Sequence, residues 1–118
     1  MSCNYNQATL AGRITKEPEL KILSTTSKLA FTLAVNRGRR KENHENKTDF
    51  IPVILWGKCA ELGTSLLKKG SPILVWGKIR VSTYEKNSEK KWITEVVAEN
   101  FQLLDRKIKE PRLSEAGQ

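Results

Sequence analysis

From Lys28 to Asn36 the chain reads "KLAFTLAVN", with Leu29, Phe31, Leu33 and Val35 on one parity and Ala30, Thr32, Ala34 and Asn36 on the other. A period of two predicts a β-strand with one buried face. Upstream, "QATLAGR" (Gln7 to Arg13) alternates more loosely and reaches Gly12, the pattern of a strand leading into a bend, and "KEPELKIL" resumes as a short extended piece after Pro18. Downstream, "DFIPVILWGK" predicts a strand with Phe50, Pro52, Ile54 and Trp56 facing one way and Ile51, Val53 and Leu55 the other. Both faces are apolar, so parity alone does not say which one holds the core.

Two more strand patterns follow, "PILVWGKIRVSTYEKN" and "KKWITEVVAENFQLLD", joined by the polar "EKNSEK", which predicts a hairpin loop. In the first, Ile73, Val75, Ile79 and Val81 form the buried parity. Leu74, Trp76, Lys78, Arg80, Ser82 and Tyr84 form a mixed one that would line a groove or a subunit contact. Between the second and third long strands, "RGRRKENHENKTD" has no apolar side chain and predicts a long mobile hairpin loop. After Gly57, Cys59, Leu62 and Leu66 recur at helical spacing, and the segment ends Lys-Lys-Gly, predicting an amphipathic helix closed by cations and a C-cap glycine. The order predicts an all-β fold, a five-stranded OB-fold barrel with one short α-helix between the third and fourth long strands. Residues 1–105 would form this domain, and the charged, polar stretch 106–118 a short frayed tail.

Composition narrows the partner. The chain has 118 residues and a formal net charge of +8, an excess that nucleic acid neutralises more readily than a membrane, for which no amphipathic cationic helix or long apolar run is present. The N-terminus has no secretory signal pattern, which predicts a cytoplasmic protein. Cys3 and Cys59 stand far apart, and with the single His44 they cannot complete a structural zinc set, so neither metal nor cofactor is expected. Cys59 reads as a small buried hydrophobe. Catalytic signatures are also missing: the one histidine lies in a polar loop, and neither GxSxG nor GxxxxGK[ST] occurs, so an enzyme is not expected.

Binding a single strand needs cations along the phosphates and rings on which bases stack. Several rings here have cations close by in sequence: Trp56 with Lys58, Trp76 with Lys78 and Arg80, Tyr84 with Lys86, and Trp92 after Lys90 and Lys91. Phe31 shares its parity with Leu29 and Leu33 and reads as core, as does Phe101. The cluster "RGRRK" projects from a strand that leads to candidate rings, making Arg37, Arg39 and Arg40 candidate phosphate contacts.

Taken together, "ATLAGRITKEPELK", "FTLAVNR", "DFIPVILWGKCAELGTSLLKKGSPILVWGKIR" and "ITEVVAENFQLL" resemble the bacterial and mitochondrial single-stranded-DNA-binding proteins, in the same order, over about Asn6 to Asp105. The resemblance implies an OB-fold protomer in a homotetramer, with a dimer as rival. It implies wrapping of single-stranded DNA without strong sequence preference and without chemical turnover, in a bacterial, nucleoid-associated setting. By position, Phe50 and Trp56 match stacking aromatics, and Tyr84 matches a third that is usually Trp; Trp92 is added as a further ring. Lys21, Lys58, Lys68, Lys69 and Arg80 match basic positions near the DNA path, and Lys78 is added beside them.

Three departures follow. Arg39 stands where the family commonly has a stacking Trp, and its guanidinium plane can still stack. Pro52 stands where a cation is frequent, and its missing N–H predicts an edge strand or a bulge there. The chain stops at "PRLSEAGQ", without the acidic tip by which relatives recruit replication and repair partners, so tail-mediated partners are not expected. Two rival readings remain open on the residues alone, an OB-fold replication accessory or protein-interaction module and an RNA-binding OB protein.

Overall fold

The computed structural model describes residues 3–39 and 46–104. The strands are β1 (Ala8–Ile14), β2 (Glu19–Ile22), β3 (Ser27–Arg39), β4 (Asn46–Trp56), β5 (Pro72–Lys86) and β6 (Glu89–Leu103), with α1 (Gly57–Leu66) between β4 and β5. The sheet order is β1-β5-β6-β4-β3-β2, and an added β1–β3 pairing closes five strands into a ring with β2 outside on β3. Among the described residues the only parallel ladder is β4 with β6. This is the five-stranded OB barrel, with its helix where the pattern placed it.

Alternation fills the barrel. Leu29, Phe31 and Leu33 from β3, Val53 and Leu55 from β4, and Ile73 and Val75 from β5 form the core with Val96, Ala98 and Phe101 from β6. In β6 the buried parity changes between Ala98 and Phe101 because of a bulge: Trp76 pairs with Asn100 but Gly77 pairs with Ala98, leaving Glu99 as the extra residue. Gly12 marks where β1 turns from β5 to β3. A Cβ there would lie 2.3 Å from the Ala34 carbonyl oxygen, so only glycine lets the two strands approach and close the ring.

Several expectations are corrected. The helix buries Ala60 and Gly63 rather than Leu62 and Leu66, and Leu62 is 53% exposed. Gly63 lets the helix sit directly on the core, since a Cβ there would meet Leu29 Cδ2 at 2.7 Å. Its C-cap is Leu67, whose N–H donates to the Gly63 carbonyl, while Lys68, Lys69 and Gly70 belong to the turn beyond. Cys59 is half-buried against the core, its thiol 3.2 Å from the Glu99 carbonyl oxygen.

Ile79 and Val81 are exposed. The β5–β6 ladder runs from Ile73↔Leu103 out to Lys86↔Glu89, so its distal part projects beyond the barrel as a two-stranded arm. The hairpin loop is shorter than "EKNSEK": Asn87 and Ser88, with φ of 54° and 66°, form a two-residue turn. The first hairpin also stays paired longer, since β3 reaches Arg39 through a bulge after Asn36.

Pro52 makes no bulge, and β4 as a whole is flanked by β3 and β6, but at the level of the proline the strand is a local edge. The β3–β4 register is unbroken from Lys28↔Trp56 to Asn36↔Thr48, and the β4–β6 ladder begins only at Val53, one residue later. The proline is tolerated because at its level β4 has no ladder to β6. The loop residues Arg40 and His44, and the tail 106–118, lie outside the described residues. No described helix is long and apolar enough to cross a membrane.

Candidate nucleic-acid interface

Register places the candidate side chains. Residues directly opposite in a ladder share a face, so Lys21 (opposite Lys28), Lys28 (opposite Trp56) and Trp56 form one row across β2, β3 and β4. The Lys28 ammonium sits 5.7 Å from the centre of the Trp56 ring, a cation–π contact. Trp56 is the last residue of β4 and the N-cap of α1, so its ring stands at the junction of strand and helix. Along β4 the same face carries Ile54, Pro52 and Phe50. Ile54 is 2% exposed, whereas Phe50 is 64% exposed.

The face continues onto the arm. Ile54 pairs with Val97 and Val97 with Lys78, so Glu95, Ile93 and Lys91 of β6 and Arg80, Ser82 and Tyr84 of β5 lie on the same outer surface. The strand-borne rings Phe50, Trp56 and Tyr84 and the cations Lys21, Lys28, Lys78, Arg80 and Lys91 therefore share one side of the sheet. Arg80 Nη2 donates to Glu95 Oε1 at 3.2 Å across the arm. Lys28 is the residue sequence reasoning missed. Its signal was legible, since Lys28 shares parity with Ala30 and Thr32, opposite the buried Leu29, but the partner strand's register is needed to place it over Trp56.

Not every candidate joins this face. Trp92 pairs with Thr83 and Tyr84 with Lys91, which puts the two rings on opposite sides of the arm; Trp92, 66% exposed, stands with Ile79 and Val81 instead. Arg37 is of the core-facing parity of β3. Its Nε donates to both carboxylate oxygens of Asp49 at 3.2 Å and its Nη2 to Oδ1 at 2.9 Å. The hydrogen bonds to Arg37 hold the Asp49 carboxyl below the usual carboxylate range, and the guanidinium is raised in return.

The remaining cations flank the sheet. Lys58 is exposed in the first turn of α1, while Lys68 and Lys69 lie in the turn after it, where the Lys69 N–H donates to Glu17 Oε2 at 3.2 Å. The backbone of Arg39 pairs with Asn46 at the end of β3.

A closed barrel with rings and cations interleaved on one open strand face defines an OB-fold of the nucleic-acid-binding kind. The model of the single-strand binding protein family matches residues 5–104, and the chain belongs to that family. It is 46% identical over 105 residues to single-stranded DNA-binding protein 1 of Clostridium acetobutylicum, covering 86% of this chain and 96% of that one. It is 43% identical over 102 residues to single-stranded DNA-binding protein 2 of Streptococcus agalactiae, covering 86% of this chain and 78% of that one. Among solved structures, a Plasmodium falciparum SSB in complex with ssDNA superposes with a TM-score of 0.79 at 26% identity, covering 89% of this chain and 99% of that chain. A small single-stranded DNA-binding protein from Streptomyces coelicolor, at 20% identity and a TM-score of 0.71 over 86% of this chain and 95% of that one, shares the fold.

Proposed function

We propose that this chain binds single-stranded DNA with little sequence preference and without chemical turnover, protecting exposed strands during replication, recombination and repair in the bacterial cytoplasm. The observation that carries this reading is the shared outer face of Phe50, Trp56 and Tyr84 with Lys21, Lys28, Lys78 and Arg80. Rings take bases of any sequence because every base has a π-face, at about 1–3 kcal/mol each, while the cations follow the phosphates. Lys58, Lys68 and Lys69 extend the path around the barrel end. Arg39 and Arg40 are further candidate contacts on the strength of their sequence positions, whereas Arg37 serves mainly to tie the first hairpin through Asp49.

The same reading makes the protein a homo-oligomer, a tetramer before a dimer. The β1 edge from Ala8 to Gly12 has no strand partner on the side away from β5 among the described residues, and the opposite face of the arm carries Ile79, Val81 and Trp92 exposed. Both features call for cover. A monomer in light scattering at micromolar concentration would contradict the assembly. For DNA binding, a dT oligomer titrated against tryptophan fluorescence should quench it and bind tightly, more weakly as salt rises, and a matched RNA should compete poorly. Absence of quenching at low salt sinks the proposal, and equal competition by RNA redirects it to RNA.

A further inference from the structure

Between Phe50 and Trp56 the outer face is hollow. A groove of about 230 Å³ opens there, walled by Ala30, Thr32, Pro52 and Ile54 and reaching Glu95 of β6. The two rings are six residues apart on one strand, about 20 Å at 3.4 Å per residue. No single base spans that distance, so a strand stacked on both rings must lay intervening bases over the groove.

Glu95 lies one residue before the β4–β6 ladder, on the parity of Val97, with its side chain only 14% exposed. Arg80 holds Oε1, and Oε2 has no hydrogen-bond partner among the described residues. A carboxylate is an acceptor without a donor and repels phosphate; at the rim Glu17 and Glu19 add to that repulsion and Lys16 offsets part of it, leaving the groove an excess of acceptors. What it suits is an amino group on a base edge, and the short side chains of Ala30, Thr32 and Pro52 leave room for a flat ring. Cytosine presents its N4 amine as a donor, whereas the thymine edge shows two carbonyl oxygens about a single N–H.

We propose that Glu95 makes this groove select bases with an exocyclic amine, cytosine foremost, over thymine. The inference rests on the single-strand reading above and adds a modest base preference to it. Its basis is the position of one held carboxylate between two stacking rings.

The test compares dC and dT oligomers of equal length, by fluorescence titration, on the unmodified chain and on Glu95→Gln. The amide keeps the shape and adds a donor that suits thymine. The ratio of dC to dT affinity should fall at least about fivefold in the variant. A dC oligomer dimethylated at N4, which has no amine hydrogen to give, should lose a similar factor on the unmodified chain, a readout independent of how the variant folds. An unchanged ratio, with both strands bound more tightly and a steeper salt dependence, would mean that Glu95 only repels phosphate; that overturns the selectivity and leaves single-strand binding intact. Failure of the unmodified chain to bind either oligomer overturns both.

Discussion

The residues of β4 divide the labour of this protein by parity. Leu55 is fully buried and packs the core, while Phe50, five positions earlier, has most of its ring in solvent. Truncating them should therefore have opposite effects. Leu55→Ala should cost about 2–5 kcal/mol of stability from lost packing and the cavity left behind. Phe50→Ala should leave stability within about 0.5 kcal/mol but weaken DNA binding by about 1–3 kcal/mol. Thermal unfolding and a dT titration on each variant check this, and a Phe50→Ala protein that melts early but binds normally would reverse the assignment. This division was only half legible in the sequence. Both faces of "FIPVILW" are apolar, and Ile54 shares the ring-bearing parity yet is buried, because β3 and β6 flank it. Glu95 and Lys28 escaped notice for a related reason: each matters through the strand beside it, and register is a tertiary fact.

At the scale of elements, the strands and their order were readable because period two is local, and so was the helix. What was not readable is how far each element reaches. Ile79 and Val81 continue the buried pattern of Ile73 and Val75, but the β5–β6 hairpin runs on past the barrel, where there is no core to enter. Leu62 and Leu66 set the apparent apolar face of α1, yet the helix turns its small residues inward because Gly63 allows the closer approach. The first hairpin is also longer than its polar sequence suggested, and the Arg37–Asp49 pair is a reason. Because the folded-state pKa of Asp49 is depressed, the pair's contribution is present above the carboxyl's unfolded pKa and is lost as pH falls through the folded one. Acidification should therefore fray the hairpin base, read as faster amide exchange at Asn36 and Thr48 relative to the barrel strands. Asp49→Asn should already be frayed at neutral pH and should lose that acid dependence; an unaltered acid response would show that another group governs it.

The whole molecule combines a net charge of +8 with a barrel whose open face bears rings and cations together. Charge alone would draw any polyanion, and rings alone could fill an interface; their placement on one face is what the proposed path for a single strand rests on. The face also has a boundary. Trp76 has the β5 parity of Lys78 but is half-buried, paired with Thr9 and Asn100 where the β6 bulge breaks the register, and β6 separates its strand from Trp56 on β4. The most direct test is a dT titration of Trp56→Ala beside Trp76→Ala at one salt concentration. Trp56→Ala should lose about 1–3 kcal/mol of binding, a factor of roughly 5 to 150, while Trp76→Ala stays near the parent affinity. Equal losses in the two variants, or none in Trp56→Ala, would contradict the placement of DNA on this face.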